Sequence, residues 1–480
     1  MTMDCIMRLK SSRTRVQVLK LPALGLIFLL LWPLSILTQT PGPTDPGIPS
    51  SSNPPDPTTI FDHSGDARYW ISGQINLIFQ AHPSFPEKYS GENSLKSGYE
   101  KATSSLMTLY TGVRLDNSTE ILFNLESTGG RGLSDALGLA GFTDLDVVRN
   151  PDLGSTPYIA RLMIHKIISL SPETTEGERG PMSLLTKLPV RRLEIRFGKL
   201  GLVDYFDVNS VGSDSHLQFM NWTVDNNGAY DYAADTRGYT EAAMVEFHDR
   251  RWSARFAEAL MPKVANGINL SLNLARSRSE NFEVELDRGL LPGKPGVIRI
   301  LGYVNHANMG IYREAVHDFL LGLTPVPDIT AHPRQSTVKY GFGINVEQSI
   351  TDNLHLFGRW GWNNGKTESF AYTEVDQTVS GGASLGGNPW HRGRDKLGLA
   401  LISNAISGDH RSYLALGGKG FVLGDGRLTY GREKIFETYY NVHLWRGAYV
   451  GPDFQHINNP GYNRDRGPVF VLSMRLHVDF

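Results

Sequence analysis

Residues 200–238 show no sustained strand or helix pattern, yet they gather Trp222, Asp225, Asn226, Asn227, Tyr230, Asp231, Tyr232, Asp235 and Arg237. Carboxylate, amide and guanidinium groups form directional hydrogen bonds with hydroxyls, and indole and phenol faces pack on the apolar faces of pyranose rings. A second unpatterned stretch, 127–157, carries Gly129-Gly130-Arg131-Gly132 and Arg149-Asn150-Pro151-Asp152. Loops this long are usually functional or disordered, and the aromatic content argues against disorder. The chemistry on offer is sugar recognition, and the expectation is that both stretches fold inward and narrow a passage.

Other chemistries fit less well. Asp225, Asp231 and Asp235 could supply a carboxylate pair for glycoside hydrolysis, but solvated loop acids are far commoner. Asp225-Asn226-Asn227-Gly228 places glycine fourth rather than sixth, so the calcium-loop pattern fails. Ser473 and His477 share a strand face but lack an orienting third group. No phosphate loop, dinucleotide fingerprint or zinc signature appears, so no cofactor or metal is expected. The charge balance, 47 Lys plus Arg against 49 Asp plus Glu, lacks the basic excess of a nucleic-acid binder.

The elements that would position these groups are strands. In the closing stretch 468–480, Phe470, Leu472, Met474, Leu476, Val478 and Phe480 share one parity, and Val471, Ser473, Arg475, His477 and Asp479 the other. A period of two gives a strand two unlike faces. Comparable stretches run at 71–80, 104–115, 120–126, 158–170, 192–199, 239–247, 252–260, 281–287, 297–305, 338–347, 354–362, 370–379, 397–404, 435–445 and 449–457. Connections after even-numbered strands are mostly short, and those after odd-numbered strands mostly long. That asymmetry belongs to outer-membrane barrels; the exceptions are 171–191, 363–369 and 380–396. The fold class read from this pattern is all-β: a transmembrane antiparallel β-barrel of about sixteen strands, with long extracellular loops folding into the pore.

In such a barrel the polar parity faces a lumen too wide for side chains to fill. Arg192, Glu194, Arg196, Glu283, Glu285, Lys339, Glu347, Arg475 and Asp479 would line it, kept solvated by channel water. Trp360, Trp362, Tyr440, Trp445 and Phe480 suit the aromatic belts at the two membrane surfaces. The candidate pore-lining and sugar-binding residues are Glu126, Arg131, Arg196, Trp222, Asp225, Asn227, Tyr230, Asp231, Asp235, Arg237 and Arg475.

Residues 1–40 read as a signal peptide, with Arg8, Lys10, Arg13, Arg15 and Lys20 ahead of an apolar run broken by Pro33. Residues 41–66, rich in Pro, Ser and Thr, read as a flexible lead-in, and 67–480 as the barrel. The one cysteine, Cys5, lies ahead of the apolar run, so the exported chain holds no disulfide.

Several segments resemble the carbohydrate-selective porins of Gram-negative outer membranes. They are Gly228-Ala-Tyr-Asp-Tyr-Ala-Ala-Asp-Thr-Arg-Gly-Tyr239, Asp395-Lys-Leu-Gly-Leu-Ala400, Ser407-Gly-Asp-His-Arg-Ser-Tyr413, Glu437-Thr-Tyr-Tyr440, Asp453-Phe-Gln-His-Ile-Asn-Asn-Pro460 and Arg464-Asp465-Arg466-Gly-Pro468. The resemblance covers most of 69–480. It implies a sixteen-stranded barrel in the outer membrane that passes mono- and oligosaccharides, and incidentally ions, by passive diffusion without catalysis. It further implies contact with outer-membrane lipid, insertion by the barrel assembly machinery through the C-terminal strand, and a homotrimer. Alternatives sharing some of these features are a polysaccharide exporter, a barrel enzyme acting on glycans, and a soluble carbohydrate-binding β-protein.

Overall fold

The structure, a computed structural model, describes residues 58–147, 153–334 and 336–480. The signal-peptide reading, the first part of the lead-in and the Arg149–Asp152 motif fall outside the described residues. Eighteen strands follow in chain order: β1 Tyr69–His82, β2 Glu100–Asp116, β3 Thr119–Gly130, β4 Tyr158–Ser169, β5 Thr174–Glu176, β6 Lys187–Pro189, β7 Arg192–Leu200, β8 Thr240–Asp249 and β9 Trp252–Ala259; then β10 Arg278–Leu286, β11 Gly296–Ala307, β12 Thr337–Ser349, β13 Leu354–Asn363, β14 Gln377–Gly386, β15 Lys396–Ala405, β16 Glu433–Trp445, β17 Ala448–Asn458 and β18 Val469–Asp479. All except β5 and β6, which pair with each other, close into one antiparallel barrel of sixteen strands. The seam joins β1 to β18 in the register Ile78 opposite Arg475. Closure leaves no strand edge unpaired, which the hydrocarbon core of a membrane demands.

The face assignment decides what the barrel is. On β18, Val469, Val471, Ser473, Arg475 and His477 are buried, and Phe470, Leu472, Met474 and Leu476 are exposed. On β12, Lys339, Gly341, Gly343, Asn345 and Glu347 point inward while Val338 and Tyr340 are exposed. Charged rows inside and Leu, Phe and Met rows outside invert the soluble arrangement and match a wall bathed in lipid. Trp360, on the loop side of β13, and Trp445, at the turn end of β16, are both outward and exposed.

One strand lies elsewhere than expected. The twelfth barrel strand, β14, spans Gln377–Gly386 instead of 370–379. Its sequence, Gln-Thr-Val-Ser-Gly-Gly-Ala-Ser-Leu-Gly, has little alternation. The apolar residues just before it, Phe370 and Tyr372, are buried in the lumen rather than on the wall. This shift also removes two irregularities in the loop pattern: the loop-end connection grows to 364–376, and the turn-end connection shrinks to 387–395. The third exception is real. Between β4 and β7 the β5–β6 hairpin rises from the turn end, with Leu184 fully buried and its backbone N–H donating to Glu120 Oε2 at 2.7 Å.

The lumen is not the open, solvated conduit expected. Glu283, Lys339 and Arg475 are each no more than 1% exposed. Inward loops pack against the wall there, and most of the buried charges are met by an opposite charge, since an unpaired buried ion is costly. Arg255 bridges Glu246 and Glu283 at 2.8 Å each and Glu285 at 3.3 Å. Arg299 continues the chain from Glu285 at 2.8 Å to Glu347. Glu194 is held by Arg192 and Arg196 at 2.5 Å each and by His165 at 2.9 Å. The result is a girdle of ion pairs along the inner wall from β4 to β12.

Candidate functional site

The segment between β7 and β8 crosses the lumen and is pinned on several walls. Asp207 forms an ion pair with Arg359, 3.0 Å from its Nε, and its backbone N–H donates to Glu283 at 2.8 Å. Arg475 donates to the carbonyls of Ser215 (2.6 Å) and Gln218 (2.8 Å). Glu437 accepts from Met220 N at 2.6 Å. Asn221 caps the single turn α1 (Trp222–Asp225) through Thr223 N and reaches Gln455 at 3.0 Å. The chain then returns: Tyr230 donates to Asn281 at 2.8 Å, and Asp231 meets Lys339 Nζ at 3.1 Å and the backbone N–H groups of Phe370 and Ala371 at 2.9 Å each.

Asn227 depends on two glycines. Gly343 and Gly361 sit opposite each other on β12 and β13, and a Cβ on either would collide with the Asn227 side chain. Gly361→Val is therefore expected to lift this part of the loop off the wall at a cost of about 1–3 kcal/mol. A lowered melting temperature with raised single-channel current would register it.

The segment between β3 and β4 also turns inward. Thr143 donates to Gln80 Oε1 at 2.8 Å, and Asp144 accepts from Ser104 at 2.7 Å. The two segments meet where Trp222 N donates to Phe142 O at 2.9 Å and Leu145 N to Met220 O at 3.1 Å.

What remains open beside them is a cavity of about 400 Å³. Its lining includes the wall residues Tyr110, Glu126, Tyr158 and Arg161, and the loop residues Trp222, Tyr232 and Tyr239. Two guanidiniums lie over phenol rings: Arg161 is 5.1 Å from the Tyr239 ring centre and Arg237 is 4.1 Å from that of Tyr158. Arg161 also forks onto both oxygens of Asp204 at 2.7 Å each. Glu126 accepts from Tyr158, from Tyr239 at 2.9 Å and from Thr108 at 3.3 Å. Trp222 stacks on Tyr372 at 5.7 Å and 12°, and Tyr232 tilts against Tyr372 at 4.8 Å. Burial pushes the Asp225 carboxyl up to about 8, so it is protonated at neutral pH.

Of the residues expected to line a passage, Glu126, Trp222, Asp225, Asp235 and Arg237 border this cavity. Asn227, Tyr230 and Asp231 do not; Tyr230 and Asp231 spend their polar groups on the wall, and Asn227 packs on Gly343 and Gly361 while its Oδ1 accepts from Ala229 N at 3.0 Å within the loop. Arg475 is likewise an anchor, and Arg196 belongs to the ion-pair girdle, stacked 4.8 Å over Tyr205. Arg131 borders a neighbouring cavity and pairs with Asp135 at 2.9 Å. The hydrolytic readings find no support in geometry: Asp231 and Asp235 answer to Lys339 and Lys199, and the partners of Ser473 are Gln80 and Asp453, not His477.

Several lining residues were missed. Arg161 and Tyr158 lie on β4, where they read as ordinary strand positions. Tyr372 lies in the misplaced strand. Pro181 and Met182 enter from the turn-end hairpin, which no loop-end reasoning would include.

The profile of the carbohydrate-selective porin family OprB matches residues 95–480. Among solved structures, Pseudomonas putida OprB at high pH is similar with a TM-score of 0.64 at 15% identity, over 86% of this chain and 94% of that one. The outer membrane channel DcaP of Acinetobacter baumannii is similar at a TM-score of 0.46 and 8% identity, over 88% of this chain and 100% of that one. No curated protein sequence matches.

Proposed function

We propose a route for sugar through this chain, which belongs to the carbohydrate-selective OprB porin family: saccharides cross by way of the aromatic and ionic cavity between the two inward loops. The chain is an outer-membrane porin for carbohydrates, and discrimination among them occurs at this cavity. The observation that carries it is the clustering of Trp222, Tyr232 and Tyr372 with the Arg161–Asp204 and Arg237–Tyr158 pairs around one cavity. A pyranose has apolar faces and an equatorial rim of hydroxyls, and such a lining offers ring faces to the first and fixed donors and acceptors to the second. No covalent step is needed, and the family is one of channels rather than enzymes. A polysaccharide exporter fits less well, because loops from one end and a hairpin from the other both occupy the lumen.

Liposome swelling with a panel of neutral sugars tests this. Trp222→Ala is expected to blunt the differences between sugars while leaving assembly intact. Unchanged relative rates would reject the site. We also propose that Phe480 and the outward row of β18 present the signal read by the barrel assembly machinery, and that the outward apolar rows contact outer-membrane lipid. Cross-linking of the purified protein would read out the homotrimer that the family resemblance implies.

A further inference from the structure

We propose that the narrow part of the lumen favours cations over anions, and therefore passes neutral and amino sugars in preference to uronates and sugar phosphates. The inference rests on the reading that the cavity just described is the passage.

Charge around the cavity is not cancelled locally. Six carboxylates border the cavity, Glu126, Asp146, Asp204, Asp214, Asp225 and Asp235, against the guanidiniums of Arg161 and Arg237. Asp204 is matched by Arg161 at 2.7 Å, and Asp235 by Lys199 at 3.7 Å. Asp225 is uncharged at neutral pH because burial favours its protonated form. Three carboxylates remain.

Each of the three is held by neutral or weakly basic groups. Glu126 accepts hydroxyl protons from Tyr158, Tyr239 and Thr108. Asp146 accepts from Asn76 Nδ2 at 2.5 Å. Asp214 accepts the backbone N–H groups of His216 and Leu217 at 3.1 Å each. Such donors steady a carboxylate without removing its charge. His216 lies 3.6 Å from Asp146 and 4.0 Å from Asp214. Burial holds its pKa below the ordinary histidine value, so it does not offset them at neutral pH. Burial also pushes Asp146 up to about 6, which leaves it mostly ionised at pH 7. Against these three stand Arg237, which has no carboxylate within ion-pair distance among the described residues, and the guanidinium of Arg475, which acts on Asp146 from behind the loop while donating to the carbonyls of Ser215 and Gln218, so the balance stays negative.

A narrow channel lined by one net sign concentrates the field and sets ion preference. The Debye length is about 10 Å at 0.1 M salt, so the effect is largest in dilute electrolyte.

The test uses the purified full-length barrel in planar bilayers under a potassium chloride gradient, with liposome swelling by glucose, glucosamine and glucuronate alongside. The reversal potential is expected to report potassium preference. Asp214→Asn keeps an acceptor for the turn at His216, and Glu126→Gln keeps an acceptor for one of the two tyrosines and offers an amide N–H to the hydroxyl oxygen of the other. Each should reduce the preference, and the pair should bring it close to zero or reverse it while narrowing the gap between glucosamine and glucuronate. A native channel that prefers chloride, or a potassium preference that neither substitution changes, overturns the inference. If these two substitutions and Trp222→Ala all leave conductance and sugar rates untouched, the passage lies elsewhere, and it is the underlying reading that fails.

Discussion

Deleting residues 222–236 is expected to raise single-channel conductance several-fold and to abolish discrimination among sugars, while the barrel still closes. A sixteen-stranded cylinder with strands about 4.8 Å apart and tilted about 40° measures roughly 30 Å between opposite backbones. Even after inward side chains are subtracted, that leaves a wide aqueous bore. The 201–239 loop enters it, carrying Trp222 and Tyr232 inward against Tyr372 beside a cavity of about 400 Å³. The strand ladder does not use this segment: β7 pairs with β4 and β8, and β8 with β7 and β9, by their own backbone groups. The deletion strips Lys339 of its Asp231 partner, but it also admits water, so the ammonium is hydrated rather than stranded. Trp222→Ala combined with Tyr232→Ala keeps the chain length and should give a smaller increase in the same direction. Conductance unchanged in both variants would mean that the narrowest point is set elsewhere.

How much of this was legible in the sequence follows from which interactions leave a periodic trace. A wall strand between lipid and lumen must alternate, so β1, β12 and β18 announce themselves through rows such as Val338, Tyr340 and Phe342 against Lys339, Gly341 and Gly343. Where the outward row is thinned to glycine and alanine, as at Gly381 and Ala383 of β14, the period fades. The nearest apolar run, Phe370 to Tyr372, then attracts the assignment although it is a lumen plug. The site was half legible for a related reason. Composition can mark a loop as a sugar-recognition candidate, but Trp222 and Asp231 look equally suited to it. Only the far side of the barrel tells them apart, since Lys339 on β12 claims Asp231 while nothing on the wall claims the Trp222 ring face. The same blindness explains the expectation of solvated charges. Arg255 and Glu283 on adjacent strands are visible as inward residues, whereas the loops that dry them come from elsewhere in the chain.

Met474→Arg is expected to destabilise the barrel by about 2–4 kcal/mol, the cost measured for a cation on the lipid face near the bilayer midplane. By solvent exposure alone the substitution looks harmless: Met474 is 46% exposed, in the middle of β18, and its cross-strand partners are uncharged. In a soluble β-protein an exposed methionine replaced by arginine would change stability by a few tenths of a kcal/mol, so the sign and size of the effect report the surrounding solvent. The position is also the seam. Met474 stands opposite Phe79 on β1 and Pro452 on β17. The last bonds of the closure follow a few residues on, where Gly73 N donates to Phe480 O at 2.6 Å and Phe480 N to Gly73 O at 2.8 Å. A cation that drags the middle of β18 toward the interface opposes those contacts directly. Heat-modifiable mobility of the barrel in detergent and the yield inserted into membranes should both fall. Met474→Leu, which keeps an apolar side chain of similar volume against lipid, should behave as the native protein. Near-native insertion of the arginine variant would mean that this row does not face hydrocarbon, and every inward assignment, including the sugar route, would have to be reversed with it.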